Sequence, residues 1–224
     1  MSLRWSIAQA AEWRWWRRYL RGKSKDAYLD WKREYWKKFI SDTNVTIPAG
    51  CKVLDAGCGP AGVFIVLPQA QVTAIDPLLD KYEGTLPHFD RKDYPWVQFQ
   101  TVSLEQFKPT DTFDLVFCLN AINHVADLDL ALDQLLQPLN PGGVLVLSID
   151  AHNHPFFKKI FQWLPGDILH PHQYDLREYQ DMLTRRGLRI EATHLKDQAF
   201  LFNYYVLVAR KLGGDILVTE QVGG

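Results

Sequence analysis

A glycine-rich turn after a short apolar segment is the first place in this sequence where the residue types could do chemistry. Residues Lys52–Ala56 are typical of a buried strand, and Gly57, Gly59 and Gly62 follow them. Because a glycine has no Cβ, it lets a ligand touch the backbone. Asp76 comes nineteen residues after Gly57, at the end of the next strand-like segment, where a carboxylate can accept hydrogen bonds from ribose hydroxyls. This spacing predicts a nucleotide-type site.

Two ligands could use such a turn. The three glycines formally satisfy the dinucleotide pattern G-x-G-x-x-G, which by itself is a weak signal. Asp55 argues against a dinucleotide, because its carboxylate would face a pyrophosphate with the wrong sign. The same carboxylate suits a ligand that carries an ammonium group at this place. S-adenosylmethionine is such a ligand, since it has an amino acid end, an adenosine end and a cationic sulfonium between them.

Several segments, in chain order, resemble the motifs of the class I S-adenosylmethionine-dependent methyltransferases. They are Asp55-Ala56-Gly57-Cys58-Gly59, Ala74-Ile75-Asp76-Pro77, Val102-Ser103-Leu104-Glu105-Gln106-Phe107, the stretch from Phe113 to Val125, and Leu139-Asn140-Pro141-Gly142-Gly143 with the strand behind it. The resemblance covers about residues 48–210. It implies an α/β fold with a Rossmann-like, mostly parallel seven-stranded sheet, an antiparallel last strand, helices on both faces and an N-terminal helical cap.

The resemblance also implies which residues hold S-adenosylmethionine. Asp55 and the Gly57 backbone would bind the methionine amino end, and Gly59 would allow close approach. Asp76 would bind the ribose. Pro77 is expected to border the adenine, although simple packing explains it equally well.

The remaining cofactor contacts implied by the resemblance lie along the adenine and the methionine arm. Leu78 would border the adenine, and Ser103 and Leu104 would contact its edge. Leu119 and Asn120, at the end of the fourth strand, would line the methionine arm, with packing as an equal explanation for Leu119. Ser103 departs from the family, which often has Asp at that position, so its contact with the adenine amino group is expected to be weaker.

Methyl transfer is an in-line displacement, for which alignment of donor and acceptor can supply most of the acceleration. His124 follows the fourth strand and could act as a general base, although a structural role as a cap of the next helix is the more common explanation. A cluster of residues beyond the fifth strand could shape an acceptor pocket. Its members are His152, His154, His170, His172 and Tyr174. No spacing of His or Cys indicates a metal site.

Alternating strands and helices must position these residues, which predicts parallel βαβ units. The pattern predicts a helix directly after the glycine turn, a turn at Pro141-Gly142-Gly143, and a hairpin turn at Lys196-Asp197-Gln198. The expected divisions are a helical cap at 1–47, a cofactor-binding domain at 48–210 with an acceptor-side segment at 151–174, and a tail at 211–224. In the cap, helical spacing predicts one helix near Ala8–Leu20 and a second one that carries a stripe of aromatic side chains.

Composition separates a basic arm from an acidic body. The first 40 residues contain 11 Lys/Arg and 4 Asp/Glu, and the rest contains 14 against 22. Six of the eight tryptophans lie in the arm. The arm could cap a cofactor cleft, contact a partner or a second copy, or bind nucleic acid or a membrane surface. The apolar runs are too short to span a membrane, and three cysteines without a zinc spacing favour a reducing compartment, the cytoplasm.

These observations predict an enzyme that transfers a methyl group from S-adenosylmethionine to a small-molecule acceptor and leaves S-adenosylhomocysteine. One alternative is an RNA methyltransferase, and nucleic acid is expected not to be the acceptor. The stretch Leu119-Asn120-Ala121-Ile122 lacks the Asn-Pro-Pro-Tyr type of motif that accompanies methylation of base amino groups. The other alternative is a regulatory module that binds the cofactor without catalysis. The acceptor atom and the oligomeric state are left open.

Overall fold

The computed structural model describes residues 3–152, 174–198 and 202–213. The strands are β1 (Lys52–Ala56), β2 (Gln71–Ile75), β3 (Val97–Gln100), β4 (Phe113–Cys118), β5 (Leu139–His152), β6 (Leu188–Gln198) and β7 (Phe202–Lys211). The helices are α1 (Leu3–Leu20), α2 (Lys25–Thr43), α3 (Leu79–Thr85), α4 (Leu128–Leu136) and α5 (Leu176–Arg185).

The seven strands form one sheet in the order β3-β2-β1-β4-β5-β7-β6. Strands β1 to β5 pair in parallel, and β7 is antiparallel to both of its neighbours. The mostly parallel sheet with an antiparallel last strand is therefore confirmed. The chain leaves β1 toward β2 on one side and reaches β4 on the other, so the strand order reverses beside β1. Crevices at the carboxyl ends of strands next to such a reversal are where α/β proteins bind ligands.

Alternating side chains of the strands bury two apolar layers, one on each face of the sheet. Val53 faces the layer that α1, α2 and α3 cover. Leu54, its neighbour, faces the layer that α4 and α5 cover. Both side chains are fully buried. Helices on both faces are thus confirmed, and the N-terminal helices supply much of one face.

The segment after the glycine turn is not an α-helix, contrary to prediction. It forms two short 3₁₀ turns, Gly59–Ala61 and Val63–Val66, separated by Gly62 in an extended conformation. Pro60 cannot donate a backbone hydrogen bond, and the extended Gly62 ends the first turn. Helix α2 packs on this segment instead, and its buried Trp36 donates from Nε1 to the Ala61 carbonyl at 2.9 Å.

The arm follows its predicted two helices, but α1 begins at Leu3, earlier than expected. The aromatic stripe predicted for α2 consists of Tyr28, Trp31, Tyr35 and Phe39, and it is only partly buried. Tyr28 and Phe39 are buried, whereas Trp31 is 51% exposed and Tyr35 37% exposed. The buried stripe also includes Leu29 and Trp36, because a straight helix turns by 100° per residue.

Two segments that were predicted as turns belong to strands in the structure. Strand β5 begins at Leu139 and runs through Pro141-Gly142-Gly143, with an irregular register against β4 in this region. Strand β6 continues through Lys196 to Gln198, so the predicted hairpin turn belongs to the strand. Asp175 caps α5, since its side chain accepts from the Glu178 amide at 3.0 Å.

Candidate functional site

A small cavity lies at the carboxyl ends of β1, β2 and β4, underneath α1. Its volume is about 60 Å³. Seven of its lining residues were predicted as site residues from the sequence: Gly57, Asp76, Pro77, Ser103, Leu104, Asn120 and His124. The other lining residues are Gln9, Glu12, Glu105, Ala121 and Val125. The topology thus brings residues from five separated segments to one place.

Gly57 is held in a conformation that only glycine adopts readily. Its φ is +72°, and a Cβ built on it would lie 2.2 Å from the Cβ of Ala121. Its amide donates to the Ile75 carbonyl at 2.8 Å. The backbone of the turn therefore passes between the end of β2 and the loop after β4, with no room for a side chain.

Asp76 joins the glycine turn to the segment after β2 through its two carboxylate oxygens. Oδ2 accepts from the Gly59 amide at 3.0 Å, and Oδ1 accepts from the Leu78 amide at 2.8 Å. The residue is only 4% exposed and lines the cavity. Burial, and then the nearby carboxylate of Glu12, raise its pKa to about 7. Each oxygen keeps a second lone pair for a further donor.

Asp55 lies below the turn and does not line the cavity. Its Oδ2 accepts from the Phe64 amide at 3.0 Å, and the Val63 amide also bonds to the carboxylate. A Cβ on Gly62 would lie 2.5 Å from the same oxygen. Burial raises the pKa of Asp55 to about 7, against the effect of these amides and of Lys32. Asp55 therefore holds the segment after the turn in place.

Three further predicted residues lie near the cavity without lining it. Gly59 has a φ of +58°, and a Cβ there would lie 3.4 Å from the Trp16 ring. Leu78 and Leu119 are buried in the apolar layer below α1 and α2. For Leu119 this burial agrees with the packing role that the sequence left open.

Asn120 and His124 come from the loop after β4. Asn120 has a positive φ of 55°, and its backbone N–H donates to the Ser148 hydroxyl at 2.7 Å. Tyr204 shares side-chain hydrogen bonds with both Asn120 and Ser148. His124 lies in a short 3₁₀ turn and interacts electrostatically with Glu12. Both residues line the cavity.

The predicted acceptor cluster falls largely outside the described residues. His154, His170 and His172 lie there, and for His152 only the backbone is described. Tyr174 is described, and its ring packs edge-on against Tyr179 at 5.8 Å between centroids. Within the described ranges no group of His, Cys, Asp or Glu could hold a metal ion.

Two site residues were missed by the sequence analysis, Gln9 and Glu12 of α1. Both line the cavity opposite the sheet. The Tyr82 hydroxyl donates to Glu12 Oε1 at 3.4 Å, and Trp16 also hydrogen-bonds to the carboxylate. Gln9 and Glu12 share a helical face with Trp13 and Trp16, so two polar residues within a tryptophan stripe were the available signal.

The cavity residues fit S-adenosylmethionine chemically. A backbone cradle at Gly57 would not tolerate a Cβ, Asp76 offers lone pairs for ribose hydroxyls, and Glu12 offers a carboxylate for a cationic group. Gln9 Oε1 is buried without a hydrogen-bond partner among the described residues, so it can accept from a bound ligand.

The raised pKa values of the two buried aspartates predict that the free energy of unfolding decreases as the pH rises. For Asp55 and Asp76 the folded pKa of about 7 exceeds the ordinary 3.8, so the native state binds more protons than the unfolded state between these values. The free energy of unfolding must then decrease up to about pH 7 and level off above it. We expect a decrease of about 2 kcal/mol or more between pH 5 and 7.5, since one pKa unit corresponds to about 1.4 kcal/mol.

Denaturant unfolding at several pH values checks this expectation. Asp55→Asn should reduce the slope, because it removes one of the two groups. Asp42→Asn is the control, since the exposed Asp42 has a pKa below its ordinary value and is fully ionised above pH 5. A flat profile for the unaltered chain between pH 5 and 7.5 would contradict the expectation.

A family model described as a methyltransferase domain matches residues 28–193. Among curated relatives, the ubiquinone biosynthesis O-methyltransferase of Nitrobacter winogradskyi is 29% identical over 147 residues, which are 61% of this chain and 54% of that protein. The chain spans about half the length of the curated relatives it matches.

Solved structures share the fold at low sequence identity. The N-methyltransferase NodS from Bradyrhizobium japonicum superposes with a TM-score of 0.59 and 18% identity, covering 85% of this chain and all of that chain. The magnesium protoporphyrin IX methyltransferase from Synechocystis, solved with bound S-adenosylhomocysteine, superposes with a TM-score of 0.54 and 21% identity, covering 82% of this chain and 83% of that chain. At such identities these neighbours show the fold alone.

Proposed function

The chain belongs to the methyltransferase domain family, and on this premise we propose that it transfers the methyl group of S-adenosylmethionine to a hydroxyl oxygen of a small molecule. The observation that carries the proposal is the cavity that joins the glycine turn at Gly57 to Asp76, Asn120 and His124. When bound, S-adenosylmethionine supplies a methyl carbon whose bond to sulfur breaks with the electron pair going to sulfur, which leaves S-adenosylhomocysteine.

The chain's own residues would bind and align the two reactants. The Gly57 backbone would hold the methionine end, and Asp76 would hold the ribose through its free lone pairs. Pro77, Ser103 and Leu104 would surround the adenine. Such alignment can supply most of the acceleration of a displacement reaction.

His124 is the proposed general base. A hydroxyl acceptor arrives protonated, and an imidazole nitrogen in the same cavity could accept that proton during the transfer. The loop that carries His124 is braced by Asn123, whose Nδ2 donates to Asp150 at 2.9 Å and whose Oδ1 accepts from the Tyr179 hydroxyl at 3.1 Å. An imidazolium formed at His124 would face the carboxylate of Glu12.

The proposed acceptor is a hydroxylated aromatic ring. Relatives named as ubiquinone biosynthesis O-methyltransferases support this choice of oxygen and of acceptor class. One aromatic residue also flanks the loop after β4, since Tyr204 hydrogen-bonds to Asn120. Nucleic acid is not proposed as the acceptor, because the chain beyond the arm carries 22 Asp/Glu against 14 Lys/Arg, and Trp13 and Trp16 of the arm pack toward the body.

We also propose that residues 1–47 act as a cap over the site of the 48–210 domain, with residues 211–224 as a tail. The Trp13 indole donates to the Thr85 hydroxyl at 3.1 Å, and α1 forms one wall of the cavity. A cap of this kind would exclude water from the reacting groups.

A reducing, cytoplasmic location is proposed from the cysteines. Cys51, Cys58 and Cys118 are buried and free. None of the described helices is long and apolar enough to cross a lipid bilayer.

Incubation of the full chain with S-adenosylmethionine and 3,4-dihydroxybenzoate tests the function. We expect S-adenosylhomocysteine and a methoxy product, detected by mass spectrometry. His124→Gln should lower kcat by about 100-fold, as expected for loss of a general base, while calorimetric affinity for S-adenosylmethionine stays within twofold. His194→Gln, on the edge strand β6, is the matched control and should keep full activity.

The alternatives give different results in the same experiments. Absence of S-adenosylmethionine binding would overturn the proposed function. Binding without transfer to 3,4-dihydroxybenzoate or related phenols would favour a regulatory module. Transfer to RNA with a steep salt dependence would favour an RNA methyltransferase.

A further inference from the structure

Helix α1 lies over the cavity and leaves little room in it. The volume of about 60 Å³ is far below the roughly 300–1,000 Å³ of pockets that hold ligands of cofactor size. The walls on the sheet side are strand ends and the glycine turn, which the parallel pairing of the sheet holds in place. The wall opposite the sheet is α1, which carries Gln9 and Glu12.

Glu12 and Asp76 place two carboxylates around one small cavity. The pKa of Glu12 is raised by burial, and Glu12 in turn raises the pKa of Asp76. Like charges that share a buried site disfavour each other's ionised form, and a bound cation relieves this penalty. The electrostatic interaction with His124, across the cavity, lowers the pKa of Glu12 and so opposes the effect of burial.

Gln9 adds an acceptor without a partner to the helix face that carries Glu12. Its Oε1 is buried and lacks a hydrogen-bond partner among the described residues. A buried acceptor without a donor costs free energy, so a ligand that supplies an N–H or O–H is favoured at this point. The cap thus presents an acceptor and a carboxylate to the space above the glycine turn, and both are complementary to a cationic donor.

We propose that Gln9 and Glu12 are cofactor-binding residues, and that the carboxylate of Glu12 makes the cap select S-adenosylmethionine over S-adenosylhomocysteine by charge. At neutral pH the first compound has a net charge of +1, from a sulfonium, an ammonium and a carboxylate, and the second is neutral overall. Methyl transfer removes the sulfonium charge, so the attraction between Glu12 and the cofactor weakens when the product has formed. This inference rests on the proposed function.

Calorimetric titration of the full chain with each compound tests the proposal. Glu12→Gln should weaken the affinity for S-adenosylmethionine about tenfold and change that for S-adenosylhomocysteine by less than twofold, so their ratio falls about tenfold. Gln9→Glu adds a carboxylate on the same face and should raise the ratio. This second variant keeps the test decisive if Glu12→Gln is poorly folded.

Glu34→Gln is the matched control, because it removes one negative charge from the cap at an exposed position where Glu34 pairs with Lys37 at 2.8 Å. It should leave the ratio unchanged. Equal losses for both compounds in Glu12→Gln, or an unchanged ratio in both test variants, would overturn the charge selection while leaving the proposed function intact. Absence of binding of either compound to the unaltered chain would overturn the proposed function, and this inference with it.

Discussion

Gly57→Ala is expected to weaken binding of S-adenosylmethionine by more than 100-fold. The new Cβ would lie 2.2 Å from the Ala121 Cβ, and a φ of +72° is itself unfavourable for alanine. Either the turn or the loop after β4 must move to accommodate the methyl group. Because both line the cavity, the displacement removes the backbone cradle and shifts Asn120 as well. A 100-fold loss corresponds to about 2.7 kcal/mol.

Alanine substitutions at two other glycines provide the comparison for this expectation. Gly59→Ala should have a smaller effect, since its Cβ would meet only Trp16, at 3.4 Å. Gly84→Ala should leave the affinity unchanged, because a Cβ there meets nothing within 4 Å and alanine favours the helical conformation of α3. Circular dichroism checks that each variant is folded. If Gly57→Ala bound S-adenosylmethionine within threefold of the unaltered chain, the cofactor would have to bind elsewhere.

The parts of the site that could be predicted from the sequence depend on local patterns. A glycine turn after an apolar strand indicates a close backbone approach whatever else the chain does, and Gly57 makes that approach. Asp76 could be placed because a carboxylate at the end of β2 must lie beside the end of β1 once the two strands pair in parallel. The alternation of strands and helices along the sequence was also enough to predict the mostly parallel sheet.

The segment after the glycine turn was predicted incorrectly because its fold depends on a distant helix. The apolar residues 63–67 resemble the buried face of a helix, and sequence patterns do not distinguish that from a short buried turn. Helix α2 already covers this face, with Trp36 bound to the Ala61 carbonyl, so a second helix is not needed there. Contacts between residues 25 positions apart decide this part of the structure.

The roles of Gln9 and Glu12 were missed for a related reason. Helical spacing predicts that their side of α1 is buried, but not which surface it is buried against. Glu12 meets Asp76 only because α1 docks on α3 and the strand ends, as the hydrogen bond from Tyr82 to Glu12 illustrates. Burying a carboxylate without a partner costs free energy, so a glutamate within a stripe of tryptophans was the one indication of a site that the sequence contained.

Asp76→Ala is expected to weaken S-adenosylmethionine binding by about 10- to 100-fold. The carboxylate holds the Gly59 and Leu78 amides at 3.0 and 2.8 Å, and it offers its remaining lone pairs to the ribose. Hydrogen bonds to a charged group each contribute about 1.5–3 kcal/mol. Asp76→Asn keeps one acceptor oxygen but places an amide donor against a backbone N–H, so its loss should be intermediate. Asp80→Ala, which removes an exposed carboxylate that pairs with Arg91, is the control and should bind normally.

The neutral compound 5′-methylthioadenosine separates the role of Asp76 from that of Glu12. It contains the ribose and the adenine but neither the sulfonium nor the amino acid end. Because Asp76 acts on the ribose, Asp76→Ala should weaken binding of this compound about as much as that of S-adenosylmethionine. Glu12→Gln should leave its affinity unchanged, since no cationic group is present. If Asp76→Ala bound 5′-methylthioadenosine normally, Asp76 would support only the glycine turn, and the ribose would have to be held by another residue of the cavity.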